Sequence, residues 1–322
     1  VKRILEAIYE QDFLRCSYGY RPGVGALDAV DRLKVKLQFG RYRWVVEADI
    51  RSFFDRIDHA WMIRMLEERI DDRAFLRLIR KWLKAGTLDT DGMVIHPATG
   101  TPQGGIVSPV LANVYLHYAL DLWFHKGVRK GCRGEACLIR YCDDYVCAFE
   151  EKGEAERFYR DMGVRLEKFG LELSEEKTRV VPFSRYRDAG RQSFEFLGFE
   201  YRWGKDRQGR AHLKRRTSPE RLRNSLKRFT QWCRAHRNKR LRRLFRQLNA
   251  KLRGYRNDYG APGSSDRLEA FFFQALKILY KWLNRRSQRR SYNWNGFKEL
   301  LEHFQVPKAR IVCPAGPATA RP

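Results

Sequence analysis

Two adjacent aspartates, Asp143 and Asp144, lie in the middle of an otherwise largely apolar run, CLIRYCDDYVCAF. Apolar residues, several of them β-branched or aromatic, flank the pair on both sides. This pattern predicts two strands joined by a two-residue turn that carries the aspartates at its tip. Neighbouring carboxylates on a tight turn repel each other, so we expect a cation to neutralise them. A surface turn with solvated aspartates is the alternative, and the apolar flanks weaken it.

A third carboxylate, Asp49, ends another strand-like run, WVVEAD. Three carboxylates on two strand ends are the ligands that a pair of Mg²⁺ ions needs for in-line phosphoryl or nucleotidyl transfer. The second run therefore favours a metal site over a simple surface turn.

The charge of the chain is concentrated in its last third. Residues 1–200 carry 33 basic and 31 acidic side chains, a net of +2, whereas residues 201–322 carry 32 and 7, a net of +25. A polyanion, most naturally nucleic acid, is the expected partner. A membrane surface is the rival, but the basic segment is rich in core-type aromatic residues and lacks a single amphipathic anchor helix.

The seven cysteines do not predict a disulfide framework in a chain of this length, because their number is odd and they are widely spread. Cys132, Cys137, Cys142 and Cys147 recur every five residues. That spacing is not a zinc knuckle, so we predict that they are small core residues. No signal peptide or membrane-spanning apolar run is found, and a cytoplasmic protein is expected.

Apolar periodicity predicts helices over Ala26–Leu37, over DHAWMIRMLEERI with Asp58 as N-cap, and from Ser108-Pro109 onwards. Three further helices are predicted beyond Gly204, with leucines and aromatic rings on one face and arginines on the other. The Pro-rich tail from Pro307 is expected to be loosely ordered.

Several motifs, in order and at matching spacing, resemble those of the reverse transcriptases encoded by bacterial group II introns. SYGYRPG is similar to the family's SYGFRPG loop, EADIRSFFDRIDH to its first aspartate motif, and GTPQGGIVSPVLANVYL to its PQG-x-x-SP-x-LAN block. RYCDDYV resembles RYADDFV, with Cys142 in place of alanine. LELSEEKT, FLGF, LNAKLRGYRNDYG and KWLNRRSQRRSYNW resemble the palm-lysine, primer-grip and thumb or maturase segments.

The resemblance implies an α+β fold: a right-hand polymerase palm, which is an antiparallel sheet with packed helices, plus partial fingers, followed by an all-α, basic, three-helix thumb. Residues 1–205 would form the partial fingers and palm, residues 206–290 the thumb or maturase-like domain, and residues 291–322 a basic C-terminal extension. Family members carry a further fingers segment before the SYGFRPG loop, so we expect incomplete fingers here. No endonuclease pattern follows the thumb.

By resemblance, Asp49, Asp143 and Asp144 would be the catalytic metal ligands, with the Ile50 main-chain carbonyl completing the shell of one ion. The expected cofactor is a pair of Mg²⁺ ions, for which Mn²⁺ is expected to substitute. Lys177 would face the triphosphate and neutralise or protonate the leaving group. Without the family motif, Lys177 would be interpreted as a solvated helix cap.

Other residues are predicted to bind the nucleotide. Phe54 would lie under the sugar of the incoming nucleotide and exclude a 2′-hydroxyl by its volume, whereas the adjacent Phe53 would belong to the core. Gln103 would line the nucleotide pocket, although a capping amide is the alternative. Arg21 would contact the triphosphate or the template backbone.

The template and primer are expected to contact glycines that permit close backbone approach, two residues of the primer-grip segment FLGF, and arginines of the thumb. This set consists of Gly104, Gly105, Leu197, Gly198, Arg253, Arg285 and Arg286.

The expected function is RNA-directed DNA polymerisation on an RNA template, its own intron RNA above all, with a DNA or RNA primer and dNTPs, together with assistance to splicing in a cytoplasmic ribonucleoprotein. A non-catalytic, RNA-binding maturase is the alternative, and intact carboxylates argue against it. Recruitment of the enzyme to CRISPR or phage defence is a third possibility. The sequence does not predict an oligomeric state.

Overall fold

Chain contacts divide the computed structural model into two units. The first comprises Val1–Leu197 and Arg202–Leu213, and the second comprises Gly198–Tyr201 and Lys214–Pro322. The structure describes residues 1–84, 99–100, 105–186, 192–287 and 291–312, and the backbone of the short strand pair Thr87–Leu88 and Val94–Ile95.

An antiparallel sheet forms the centre of the first unit. The strands of the chain up to residue 186 are β1 (Trp44–Ala48), β2 (Thr87–Leu88), β3 (Val94–Ile95), β4 (Ala136–Tyr141), β5 (Asp144–Phe149) and β6 (Arg179–Pro182). Four of them form this sheet in the order β4-β5-β1-β6, and β2 pairs with β3 separately. The predicted aspartate hairpin is thus β4 and β5, and the predicted strand before Asp49 is β1.

Helices cover the sheet. Those described in the first unit are α1 (Lys2–Tyr9), α2 (Ala26–Phe39), α3 (His59–Glu67), α4 (Arg73–Lys84), α5 (Ser108–Leu116) and α6 (Lys152–Glu167). Asp58 caps α3 as predicted, because its carboxylate accepts a 2.8 Å hydrogen bond from the Trp61 N–H.

Helix α5 lies in the core of the first unit. It begins with Pro109 in its first turn, where a missing N–H costs little, and its residues from Val110 to Leu116 are all buried. A helix that is apolar on every face belongs in an interior. The chain continues through two π-helical stretches, His117–Asp121 and Phe124–Val128, the first of which ends at a fully buried aspartate.

A three-stranded sheet, in the order β7-β8-β9, contains the boundary between the units. Its strands are β7 (Ser193–Phe196), β8 (Phe199–Lys205) and β9 (Ala211–Thr217). The sequence analysis did not predict β9, whose sequence AHLKRRT is strongly basic and offers few apolar residues to a period-two pattern.

The second unit is helical and basic, as predicted. It contains α7 (Pro219–His236), α8 (Leu241–Tyr259), α9 (Ser265–Leu283) and α10 (Trp294–His303). Ser218 caps α7 by accepting a hydrogen bond from the Arg221 N–H. Leucines and phenylalanines of all four helices form one core.

The structure revises the predicted end of the thumb. Residues 291–322 were expected to form an extension, but α10 belongs to the core of the second unit: Phe297 is fully buried, and the Phe304 ring stacks on Phe245 at 4.3 Å. Asn293 caps this helix. The fold is therefore the predicted antiparallel sheet with packed helices, followed by four described helices where three were expected.

Two further findings concern the cysteines and the length and apolar character of the helices. Cys137, Cys142 and Cys147 are buried free thiols, as predicted for core residues, and Cys132 is half-buried. Across the described residues, no helix combines the length and apolar character needed to cross a membrane.

Candidate active site

The ends of β1 and β5 bring two of the predicted carboxylates side by side. The register ends with the pair Ala48 and Tyr145, and Asp49 and Asp144 are the residues that adjoin this pair, so both lie at the same end of the sheet. Asp143 directly precedes Asp144, so all three carboxylates lie at one end of the sheet.

Asp143 lies in a tight turn. Tyr141 pairs with Asp144, which leaves Cys142 and Asp143 as the two turn residues; Tyr141–Asp144 is called the aspartate turn below. Cys142 has a φ of 57°, a left-handed conformation that few non-glycine residues adopt. A Cβ atom placed on Gly19 would lie 2.4 Å from the Cys142 amide nitrogen. Glycine at position 19 therefore lets the SYGYRPG loop pack directly on the aspartate turn.

The main chain after Asp49 is held by an antiparallel bridge between Ile50 and Leu173. The hydrogen bonds of this bridge are made on either side of Ile50: the Asp49 carbonyl accepts one at 2.9 Å, and the Arg51 N–H donates one at 2.8 Å. In such a bridge, the main-chain groups of the central residue point away from the partner strand. The Ile50 carbonyl is thus directed toward β5, the side on which a metal ligand was predicted.

Lys177 lies directly beside the carboxylates. Its Nζ donates a 2.8 Å hydrogen bond to Asp49 Oδ2. This hydrogen bond and the charge of Asp49, followed by the charge of Asp144, raise the pKa of Lys177. Because the Lys177 side chain is mostly exposed, the ion pair adds little to stability. Its significance is positional, since it places a cation at the predicted metal ligand.

The donor atoms at this end of the sheet match magnesium in kind, because carboxylates and a main-chain carbonyl are hard oxygen ligands. As the side chains stand, however, no three His, Cys, Asp or Glu residues within the described ranges are placed to hold a metal ion together. Asp49 is bound to Lys177 instead. An ion bound by Asp49 would therefore compete with the Lys177 ammonium for the carboxylate.

A buried arginine supports the aspartate turn from behind. Arg140 and Asp121 are both fully buried, and the guanidinium donates to the two carboxylate oxygens at 2.8 and 2.6 Å. Arg140 also donates to the Cys142 carbonyl at 2.9 Å, to Asn113 Oδ1 at 3.0 Å and to Ser17 Oγ at 2.8 Å. We call Ser17, Asn113, Asp121 and Arg140 the Arg140 cluster. Its charges are paired and hydrogen-bonded, the condition under which a buried ion pair is tolerated.

The Arg140 cluster joins segments that are distant in sequence. The Arg140 N–H donates to the Cys16 carbonyl at 2.7 Å, and the Tyr18 N–H donates to the Arg140 carbonyl at 2.9 Å. The Asn113 amide donates to the Gly19 carbonyl. The SYGYRPG loop, the LAN segment of α5 and the aspartate turn are thereby fixed to one another.

The sequence analysis did not identify this cluster. The available signal was a single charge inside each of two apolar runs, Arg140 in CLIRYC and Asp121 in HYALDLWF, with opposite signs. Burial of both runs would force such charges to pair.

The predicted sugar-facing ring, Phe54, lies in a short 3-10 turn after Asp49. Phe53 is buried in the core, as predicted, and its ring contacts that of Phe54 at 5.4 Å and 64°. Phe54 itself is half-buried. Its role in sugar selection stays a prediction.

The placement of Arg21 argues against its predicted contact with nucleotide or template. Its guanidinium is bound to the Glu10 carboxylate at 2.9–3.2 Å and to the carbonyls of Leu14 and Ser17 at 3.0 and 2.8 Å. It also lies over the Phe13 ring. These contacts hold the SYGYRPG loop to the end of α1, which is a structural role.

The glycine-rich segment is described only in part. Gln103 and Gly104 lie outside the described residues. The carbonyl of Gly105 accepts a 3.2 Å hydrogen bond from the Ser108 N–H at the start of α5, and its predicted contact with template stays a prediction.

The FLGF segment forms the β7–β8 turn. Leu197 and Gly198 have φ values of 50° and 77°, the pattern of the two-residue hairpin turns in which both central residues have positive φ. A leucine in this conformation is an outlier, and such outliers concentrate at functional sites. This is compatible with the predicted primer contact and does not test it.

The three predicted thumb arginines differ in their surroundings. Arg253 and Arg285 are exposed, and the Arg285 guanidinium lies 5.5 Å from the centre of the Trp282 ring. Arg286 is instead bound to the carbonyls of Arg237 and Lys239, just after the end of α7. Its guanidinium binds two main-chain carbonyls of the turn that follows α7, and this structural role argues against the predicted template contact.

Comparisons with known proteins agree with this fold. Residues 1–201 match the family of reverse transcriptases (RNA-dependent DNA polymerases). The group II intron-encoded protein LtrA of Lactococcus lactis is 45% identical over 117 residues, which are 36% of this chain and 19% of LtrA. Protein YkfC of Escherichia coli is 28% identical over 250 residues, which are 68% of this chain and 64% of YkfC. The matches thus span less than two thirds of either relative.

The fold also resembles a solved polymerase structure. Telomerase from Candida albicans superposes on 95% of this chain and 53% of its own length, with a TM-score of 0.51 and 12% identity. At this identity the likeness concerns the fold alone. The family match covers more than half of the chain and includes the aspartate turn, and the similarity to LtrA agrees with the group II motifs. The chain belongs to the reverse transcriptase family.

Proposed function

We propose that this protein is an RNA-directed DNA polymerase that extends a primer on an RNA template. The observation that supports the proposal is the register of β1 and β5, which brings Asp49 and Asp144 to the sheet end where Asp143 occupies the turn. Neighbouring carboxylates beside a protein cation are typical of a site that handles divalent ions and phosphates.

The proposed roles follow from position. Asp49, Asp143 and Asp144, with the Ile50 carbonyl, would hold two Mg²⁺ ions, or Mn²⁺ in their place. The ions supply activation of the primer 3′-hydroxyl and neutralisation of charge on the leaving pyrophosphate. Once its ammonium has left Asp49, Lys177 is near enough to donate a proton or a hydrogen bond to that pyrophosphate.

The RNA partner is supported by charge. Residues 201–322 carry a net of +25, and cations that contact phosphates bind RNA without reading its sequence. We propose the intron RNA that encodes the protein as template, a DNA or RNA primer, dNTPs as substrates, and a cytoplasmic ribonucleoprotein as the setting. Assistance to splicing by the basic second unit is part of this proposal.

A non-catalytic RNA-binding maturase is the second candidate, and the basic second unit favours it equally. The two candidates differ in the first unit. A protein that only binds RNA has no need of three carboxylates and an ammonium at one end of a sheet, or of a buried ion pair behind them.

Primer extension with the carboxylates neutralised tests the proposal. Asp49→Asn and Asp143→Asn should each lower the rate of single-nucleotide addition at saturating RNA and dNTP by about a thousandfold or more, because they remove ligands that act on the reacting oxygens. RNA affinity, measured in parallel, should stay near that of the parent.

Glu151→Gln is the matched control, because Glu151 is an exposed carboxylate outside the site. It should extend primers like the parent. Full activity in either aspartate variant would refute the polymerase assignment and leave the maturase as the better account.

A further inference from the structure

A cavity of about 420 Å³ opens in the first unit beside β4, away from the aspartate turn. Its walls come from the loop after α1, from α2, from the π-helical continuation of α5 and from β4 itself. At about 3.4 Å per strand residue, Leu138 in its wall is about 10 Å along β4 from Tyr141. The cavity is therefore separate from the candidate polymerase centre.

The rim of the cavity is cationic. Arg15, Arg32, Lys36 and Arg129 all line it, and within the described parts of the chain none of these side chains forms an ion pair or a hydrogen bond. The single acidic residue among the described lining is Asp121, and both of its carboxylate oxygens are bound to Arg140. The positive charge of the rim is thus uncompensated.

Several other cations of the first unit are paired with carboxylates. Arg21 is paired with Glu10, Arg179 with Glu47 at 2.8 Å, and both Arg51 and Arg56 with Glu172. The four cations around this cavity have no such partner among the described residues, and their concentration at one concave site indicates an anionic ligand.

The floor of the cavity is apolar and includes a free strand edge. Tyr42, Phe124 and Leu138 lie among its lining residues and are largely buried. β4 is an edge strand. The Glu150 N–H donates to the carbonyl of Glu135, the residue just before β4. Hydrogen-bonded pairs alternate along antiparallel strands. The N–H and C=O of odd-numbered β4 residues therefore point toward β5, and those of even-numbered residues point away from the sheet edge.

Arg140 confirms this alternation, because its outward N–H and C=O bind the segment around Ser17. Two residues earlier, the outward N–H and C=O of Leu138 face the cavity, and no described residue pairs with them. An adjacent donor and acceptor on a strand edge can hydrogen-bond the edge of a nucleobase.

We propose that this cavity binds a nucleotide. The base would lie on the apolar floor against the Leu138 edge, and the phosphates would meet Arg32, Lys36 and Arg129 at the rim, where arginine favours bidentate phosphate contacts. The volume lies within the range of roughly 300–1,000 Å³ that small-ligand sites occupy. The nucleotide can be a free nucleoside triphosphate or one unit of a bound RNA strand, since both present a base and a phosphate.

Binding measurements with the polymerase centre disabled test this site. Asp143→Asn protein in EDTA is titrated with ATP, with inorganic tripolyphosphate and with a short single-stranded RNA. The cavity variant adds Arg32→Gln, Lys36→Gln and Arg129→Gln. The control variant adds Arg73→Gln, Arg77→Gln and Lys81→Gln, which remove the same charge from exposed positions on α4.

The cavity variant should bind ATP about a hundredfold more weakly than the control variant, because charge-assisted contacts to phosphate are lost. ATP should also bind the parent more tightly than tripolyphosphate does, because only ATP occupies the floor. Weakened binding of RNA alone would assign the site to a nucleotide within a strand and would equally support the proposal.

Two results would overturn it. Equal affinity for ATP and tripolyphosphate, together with unchanged RNA binding in the cavity variant, would show that the cavity is not a nucleotide site. Equal loss of ligand binding in the cavity and control variants would show that the cavity has no special role. Arg129→Gln alone, which removes one largely exposed side chain, repeats the comparison if the triple variant melts at a lower temperature than the control.

Discussion

The two units differ in how far their cations are paired with carboxylates. In the first unit, Arg51, Arg56 and Arg179 are paired with carboxylates. Arg140 is completely buried against Asp121. In the second unit, Arg216 is paired with Glu200. Several of its other cations lie over aromatic rings instead, as Arg237 and Arg285 do on Trp282.

This difference shows what each unit can do. A paired, buried charge fixes the main chain around it, which suits a site whose ligands must be placed closely. A cation on a ring keeps its charge and its donors directed at solvent, which suits binding of phosphates in many sequence contexts. We infer that geometry is specified in the first unit and affinity for RNA in the second.

The largest expected effect concerns the Arg140 cluster. Arg140→Leu leaves Asp121 buried without a partner and should lower the free energy of unfolding by about 3–5 kcal/mol. Arg140→Leu with Asp121→Leu removes both charges and should recover most of that stability. Chemical denaturation of the two variants and the parent measures the difference.

The double variant separates stability from placement of the aspartates. It should remain folded and yet extend primers at least about tenfold more slowly, because the Cys142 carbonyl has lost its donor and small displacements of reacting groups cost rate. Hydrogen exchange of the peptide that contains the aspartate turn should accelerate as well. A stable double variant with full activity and unchanged exchange would show that the cluster serves only the core.

A smaller effect is expected at Phe54. Phe54→Ala removes volume five residues after Asp49 and should lower the preference for dNTPs over NTPs by about 10- to 100-fold. Comparison of kcat/KM for the two nucleotide types measures it. Phe39→Ala, which removes a ring that is 79% exposed, is the control. An unchanged preference in the Phe54 variant would place the sugar gate elsewhere.

The smallest expected effects distinguish two arginines of the second unit: Arg285, which is exposed, and Arg286, which is bound to main-chain carbonyls. Arg285→Gln should reduce the slope of log affinity for single-stranded RNA against log salt by about 0.7 if one phosphate contact is lost. Arg286→Gln should leave that slope unchanged and lower the free energy of unfolding by about 1.5–3 kcal/mol, because it frees two carbonyls from a charged donor. The opposite assignment of effects would break the distinction drawn here.

Local patterns in the sequence were sufficient for the hairpin of β4 and β5, the strand before Asp49 and the capped start of α3. Each depends on residues within a few positions of one another. The placement of Asp49 and Asp144 at the same end of the sheet could be anticipated only by family resemblance, because it depends on the register of strands about a hundred residues apart in the chain.

The sequence was misleading where long side chains are involved. Arg21 and Arg286 were predicted to bind nucleotide or template, yet each is bound to main-chain carbonyls of its own unit. An arginine in a loop can reach many partners, so its sequence position alone does not say whether its donors are free. For the same reason, the pairing of Arg140 with Asp121 in the core was not predicted from the sequence.

One measurement most directly tests the claim that the first unit places the catalytic carboxylates and the second unit provides RNA affinity. The rate of nucleotide addition and the dissociation constant for RNA are determined for Asp143→Asn and for the double variant Arg253→Gln with Arg285→Gln. We predict that Asp143→Asn loses about a thousandfold or more in rate and keeps its RNA affinity within about twofold. The double arginine variant should bind RNA about tenfold more weakly and retain the parent's rate at saturating RNA. Loss of RNA affinity in Asp143→Asn, or loss of rate at saturation in the arginine variant, would contradict the account.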